Sequence, residues 1–304
     1  MIRKHNRRAA KAAFSGTLGV ALVLGLLASS APAAQTQTTP IIVGAKNFPE
    51  QYVLGQLYRQ ALVAAGFQVR YKENIGSTEL IDAALRSGQV TLYPEYTGIM
   101  LSVTHKRKSL PRTATGTYRL AKRLYERRGQ TLLRQTPFQD RDVLAVTRAT
   151  ANRYNLRRIS DLRRVPELTI AGFPEWETRW RGPIGRQYNV RGFEFEPIAG
   201  ISAYQLLDRR DVEAADVFTT DPQLQGRKYK QLADPKNMFG FQHVAPVVDR
   251  DLIRQHGARF TSTLNRVSRL LTVKAMQSML QAVAINKKPA ARVAGQFLEA
   301  NNLK

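Results

Sequence analysis

From Ile41 onward, two rhythms of hydrophobic and polar positions trade places along the chain. The run "IIVGA" (41–45) is continuously apolar, as in a strand buried on both faces, and residues 49–65 then carry apolar side chains at helical spacing up to Gly66. Phe67, Val69 and Tyr71 alternate with polar neighbours in "FQVRY". A helix is expected over 78–86 with Gly88 as its stop, and "VTLY" (90–93) reads as the next strand. This order, β-α-β-α-β, predicts a parallel sheet covered by helices on both faces. Ligands of such sheets sit beyond the carboxyl ends of the strands, where "AKNF", "IGST" and "PEYTG" all fall.

A basic helix over 115–128 and the strand-like "DVLAVTR" (142–148) lead into a second alternation. It runs through "LTIAG", a helix containing "EWETRWRGPIGRQY", the strand "FEFEPI", the helix "SAYQLLDRR" and the strand "EAADVFTT". The chain then crosses "FQHVAPVV" and ends in helices without a sustained strand pattern. No low-complexity linker and no short-period repeat divides it. Two α/β lobes joined by two short crossing strands account for this order better than tandem domains. The expected lobes are 41–141 plus 246–304, and 142–245.

The N-terminus carries Arg3, Lys4, Arg7, Arg8 and Lys11, then an apolar run over 18–28, then Ala31-Pro32-Ala33. That order predicts a cleaved secretory signal peptide over 1–33 and a periplasmic mature protein, since the run is short for a membrane span. Cysteine is absent, which excludes disulfides, cysteine nucleophiles and a cysteine-borne lipid anchor. The formal net charge of +24 raises the possibility of a nucleic-acid partner. Its pattern argues against one: clusters such as "KRLYERRG" and "NLRRISDLRR" lack the regularly interleaved aromatics and glycines of single-strand binders. A solvated basic surface is expected, with no nucleic-acid partner.

Catalytic chemistry finds little to stand on. Beyond the leader the histidines are His105, His243 and His256, none in a catalytic pattern, and His105 in "THKRK" is expected at the surface. There is no G-x-S-x-G, no H-E-x-x-H and no phosphate-cradling glycine loop. No enzyme activity, metal or cofactor is expected. What stands out is "LYPEYTG" (92–98), which sets Tyr93 and Tyr96 at a strand end where either core packing or a ligand could use them. Ser77 and Thr78 in "GSTE" read equally as helix caps or as ligand contacts. Lys46, Gln51, Ser77 and Tyr96 would converge on one crevice.

"VGAKNFPEQYVLGQLYRQAL", "GSTELIDAALRSGQVTLYPEYTG", "DVEAADVFTTDPQL" and "APVV" occur in that order. In these motifs the chain resembles the glycine betaine/choline-type substrate-binding proteins of ABC importers. The resemblance implies a bilobal periplasmic binding protein of type II, monomeric, that closes on a small quaternary amine in an aromatic cage and serves an ABC permease. A methylated ammonium donates no hydrogen bonds and is held by ring faces. The resemblance makes Tyr96 a cage wall, with Tyr93 as the weaker candidate. It assigns Lys46 and Arg179 to a ligand carboxylate, and Asp140 and Phe218 to the site. The chain also departs from the family pattern. Asp142 precedes "VLAV" in place of a tyrosine, Gln242 and His243 stand where two tyrosines often precede "AAPVV", and Ile99 replaces a threonine after "YTG". These exchanges favour a cationic or amino-acid-like ligand that offers hydrogen-bond donors. A basic periplasmic interaction protein that has lost ligand capture is the other reading.

Overall fold

The computed structural model describes residues 39–198 and 202–304, so the expected signal peptide lies outside the described residues. The strands are β1 (Ile41–Gly44), β2 (Val69–Lys72), β3 (Leu92–Tyr96), β4 (Gln130–Leu132), β5 (Asp142–Thr147), β6 (Thr169–Gly172), β7 (Glu194–Pro197), β8 (Ala214–Phe218), β9 (Tyr229–Gln231) and β10 (Val244–Asp249). They form two five-stranded sheets, ordered β2-β1-β3-β10-β4 and β7-β6-β8-β5-β9.

The sheets are mixed, not purely parallel as the alternation suggested. Strands β1, β2 and β3 run parallel, but β10 is antiparallel to both β3 and β4. In the second sheet β6, β7 and β8 are parallel, and β5 enters antiparallel to β8 and β9. The reason is topological: β5 and β10 each begin where the chain arrives from the opposite sheet, without the crossover helix that parallel pairing requires. The two crossing segments pair with each other at Gln139 and His243, and the Asp140 N–H donates to the Gln242 carbonyl at 3.1 Å.

The strand expected at 90–93 lies two residues later, so Pro94 and Glu95 are inside β3 rather than in the loop after it. Proline is tolerated there because of the register. The Thr97 N–H bonds the His243 carbonyl, which makes Tyr96 and Val244 a non-hydrogen-bonded pair, and Pro94 faces Pro246 two residues on at another. On its other edge β3 meets β1 only at Leu92, so no ladder bond is lost there either.

Period-2 alternation sends Leu92 and Tyr96 to one face of the first sheet and Tyr93 to the other. The helix Pro49–Ala64 packs on the first face with the C-terminal helices, through Leu54, Leu57, Phe260, Leu264 and Leu298. On the opposite face Tyr93 joins Ile81, Leu85 and Tyr125. His105 is half-buried rather than at the surface, its ring edge-on to Tyr125 at 5.2 Å and its Nδ1 2.9 Å from the Met100 carbonyl. The second sheet has its own core around Leu144, Ile170, Ile184 and Phe239.

Candidate functional site

A cavity of about 700 Å³ is lined from both sheets and from the crossing. The first sheet and its helices supply Lys46, Phe48, Glu50, Thr78, Tyr96 and Ile99, and the crossing supplies Asp140, Arg141 and Gln242. The second sheet and its helices supply Asp142, Phe173, Glu175, Trp176, Arg179, Trp180, Asp216, Phe218, Thr220 and Asp221. Six of the expected site residues therefore meet in one place: Lys46, Tyr96, Asp140, Asp142, Arg179 and Phe218.

Four others lie outside the lining. Tyr93 is fully buried on the opposite sheet face, its hydroxyl 3.3 Å from that of Tyr125, because three residues along a strand from Tyr96 reverses the side. Gln51 lies beneath the site, where its Oε1 accepts from the Lys46 backbone N–H at 3.4 Å. Ser77 occupies the N-cap position of the helix Thr78–Arg86, and Thr78 faces the cavity instead. His243 turns its Nδ1 to the carbonyls of Thr136 and Phe138, at 2.8 and 3.1 Å, and braces the crossing. Its pKa is lowered by burial.

Lys46 is not free to receive a carboxylate. Its Nζ lies 2.7 Å from Glu95 Oε1 and donates to Thr78 Oγ1 at 3.2 Å. It also stands 4.7 Å from the Tyr96 ring centroid and 5.6 Å from that of Phe48. Both ions are almost wholly buried, and that is affordable only because they are paired. Tyr96 stacks on Phe48 at 6.3 Å and donates its hydroxyl to Glu50 Oε1 at 2.9 Å, so the wall is braced from behind.

The second-sheet wall is built differently. Trp176 and Trp180 are one helical turn apart on Pro174–Tyr188 and reach the same cavity, as i and i+4 positions must. Phe173 and Phe218 remain 47% and 36% exposed, so their rings keep much of their surface open. Asp142 opposes Phe218 in the register of β5 and β8, and Asp216 opposes Leu144, which places Asp142, Asp216 and Phe218 on one sheet face. Asp216 Oδ1 and the Trp176 Nε1 are buried with no hydrogen-bond partner.

The lining holds six carboxylates against Lys46, Arg141 and Arg179, an acidic excess inside a chain of formal charge +24. Arg141 is engaged with Asp234 at 3.5 Å. Burial pushes Asp140 up to about 7, against the hydroxyl of Thr220, which donates to its Oδ1 at 2.7 Å; Asp221 and Asp142 push it further up. Glu50 is raised well above the usual carboxylate range by burial and then by Asp140. Asp216 is raised by burial and by Asp142, which the nearby Trp176 indole partly offsets without reaching hydrogen-bond geometry. Asp142 is raised by burial, opposed by Arg179 and the Trp180 indole. Asp221 is raised by burial while accepting from the Phe218 N–H and the Tyr204 hydroxyl, which gives it a structural task.

The residues that sequence reasoning did not single out are Glu50, Phe48, Trp176, Trp180 and Asp216. Phe48 and Glu50 sit beside Lys46 in "KNFPE", and the spacing of "WETRW" sets two indoles on one helix face, a signal that could have been read. The geometry suits a small organic cation: ring faces and carboxylates, with few free donors. No catalytic nucleophile and base are arranged in it.

Residues 39–300 match the family described as OpuAC, the substrate binding domain of ABC-type glycine betaine transport system. A glycine-betaine-binding protein of Pseudomonas aeruginosa is 32% identical over 295 residues, covering 92% of each chain. An ergothioneine transport permease/ergothioneine binding protein of Helicobacter pylori is 27% identical over 92% of this chain, which spans 52% of that longer protein. Among solved structures, a glycine betaine/carnitine/choline ABC transporter protein superposes with a TM-score of 0.80 at 20% identity, covering 86% of this chain and 99% of that one. The last shows the fold, a type II periplasmic binding protein with two α/β lobes. From the matched residues and the relative in Pseudomonas aeruginosa, the chain belongs to the OpuAC family of substrate-binding domains, which bind and do not catalyse.

Proposed function

We propose that this protein is a periplasmic receptor that captures a small quaternary amine or related organic cation and presents it to an ABC permease. The proposed lobes are 41–141 plus 246–304, and 142–245, which would close on the ligand as a hinged monomer after removal of a signal peptide over 1–33. The observation that carries the reading is the cavity itself, with six rings (Phe48, Tyr96, Phe173, Trp176, Trp180 and Phe218) and an excess of carboxylates. Ring faces attract a cation that cannot donate hydrogen bonds, and the buried carboxylates, whose pKa values burial raises, add charge as a bound cation favours their ionised forms. The same excess favours a net cation, choline-like, over a zwitterion such as glycine betaine, whose carboxylate would find only Arg179 unpaired among the lining cations.

Thermal-shift and calorimetric titration against choline, carnitine, glycine betaine and ergothioneine test this directly. At least one should stabilise the protein, by about 2.7 kcal/mol at a hundred times its dissociation constant. Silence across these and a broad amine library would favour an interaction protein without ligand capture.

A further inference from the structure

The two walls of the cavity do not stand equally ready for a ligand cation. On the first-sheet side the rings of Tyr96 and Phe48 already face a cation, the Lys46 ammonium, which is 4% exposed and satisfied by Glu95 and Thr78. A second positive group brought to the same ring faces would be repelled at short range in a medium of low dielectric. On the second-sheet side Asp216 is almost completely buried, and its Oδ1 has no partner in hydrogen-bond geometry, the nearby Trp176 indole included. It shares a sheet face with Asp142 and Phe218, and Trp176 and Trp180 reach the same part of the lining. Buried carboxylate oxygens without a donor occur on both sides, Glu50 Oε2 and Glu95 Oε2 on the first and Asp216 Oδ1 on the second, but only on the first does a cation already lie over the rings.

We propose that Lys46 is an internal occupant of the first-sheet aromatic face, and that the ligand's cationic group binds instead on the second sheet, beside Asp142 and Asp216 and against Trp176, Trp180 and Phe218. Arg179 adjoins both aspartates and makes no salt bridge among the described residues, so it offsets part of their charge without filling the place. Lys46 then sets specificity by exclusion: it closes one set of rings to cations and, being paired with Glu95, offers little to a carboxylate. The inference rests on the reading of this cavity as the ligand site.

Trp176 and Trp180 are the chain's two tryptophans and both line the cavity, so intrinsic fluorescence reports from the proposed subsite. Choline and glycine betaine are titrated into the wild type, Asp216→Asn and the double variant Lys46→Met/Glu95→Gln, which removes the buried pair without stranding either charge. Thermal melts establish that each is folded. Asp216→Asn is expected to weaken choline at least tenfold. The double variant is expected to tighten choline at least threefold, because the Tyr96 face becomes available, and to leave the ratio of choline to betaine affinity within about threefold of wild type. Loss of betaine alone in the double variant would show Lys46 to be a carboxylate partner and overturn the proposal. So would weakened choline binding there, or an Asp216→Asn variant that binds choline as the wild type does. If the double variant does not fold, Lys46→Gln is titrated in its place against the same criteria. No binding of either probe by the wild type, with other amines bound, leaves the receptor reading standing and removes this one.

Discussion

In the cavity wall from the first sheet a buried cation already lies over the rings, and among the described residues none lies over the rings of the second. Lys46, Glu95, Thr78, Tyr96 and Glu50 are tied together by short contacts within one sheet and its helices. Glu50 Oε2 and Glu95 Oε2 on that wall lack hydrogen-bond partners, as do Asp216 Oδ1 and the Trp176 Nε1 across the cavity, where Phe173 and Phe218 keep much of their surface in solvent. Unsatisfied polar atoms and bare rings cost stability in an empty protein, and a ligand that meets them recovers it. The difference is that the rings of the first wall already face an ammonium and those of the second do not.

The comparison breaks first if the tied wall can be cut without loss. Glu95→Gln strands the Lys46 ammonium in the interior, and breaking one side of a buried ion pair costs roughly 3 to 5 kcal/mol. Urea denaturation should show a fall of that order with no ligand present. A change below about 1 kcal/mol would mean that the pair does not hold the wall.

Phe218→Ala should do the reverse. Its ring is 36% exposed and lines the cavity, so the fold should lose little, while choline affinity falls by about 1 kcal/mol through the lost ring face. Calorimetry and a melting curve on the same sample separate the two effects. A large drop in melting temperature with unchanged affinity would move Phe218 to the structural side of the comparison.

A subtler asymmetry concerns protons. Asp140 faces Glu50 and Lys46 from the first sheet's side and Asp142, Thr220 and Asp221 from the second's, and its folded pKa, about 7, lies above its ordinary value. A raised carboxylate favours the folded state most below its unfolded pKa, and that contribution is lost as pH rises through about 7. The empty protein should therefore lose stability from this group over about pH 4 to 7. Choline, which favours the ionised form, should bind more tightly as pH rises from about 6 to 8 and release protons on binding. Calorimetry in buffers of different ionisation enthalpy measures that release, and uptake instead of release would contradict the sign.

The smallest expected effect is that of salt. A chain of formal charge +24 repels a cation from a distance, and salt screens that repulsion while hardly touching buried contacts. Choline affinity should rise by less than about twofold between low and physiological salt. A steep fall would show that the ligand is held by surface charge and not within the cavity.

Much of this was legible in the sequence because it depends on periodicity. The two alternations, the return of the C-terminal helices to the first sheet and the convergence of "AKNF", "IGST" and "PEYTG" follow from strand and helix spacing. That Lys46, Tyr96, Asp140, Arg179 and Phe218 would line one cavity could be expected because the resemblance lies in local motifs, and Asp142 stood out as a departure from them. What was hidden depends on partners distant in sequence. That Glu95 would claim Lys46 across 49 residues is a matter of tertiary packing. That Tyr96 would be a core residue as well as a wall follows from Phe48 and Glu50 closing behind it. Tyr93 could have been set aside from strand parity alone, once the strand was known to run through Pro94. The place of His243 in the crossing emerges only when 136–138 folds against it.

Gln242 has a mechanical consequence. Its side-chain Oε1 receives the N–H groups of Gly98 and Ile99, at 3.0 and 3.1 Å, while its backbone carbonyl receives that of Asp140. A methyl group at Gly98 would sit 2.6 Å from the same amide, so the seat is tight as well as bonded. The turn behind Tyr96 is thus geared to the crossing. The closure proposed above would carry Gly98 and Ile99 along with Gln242, or give up two hydrogen bonds of about 1 kcal/mol each.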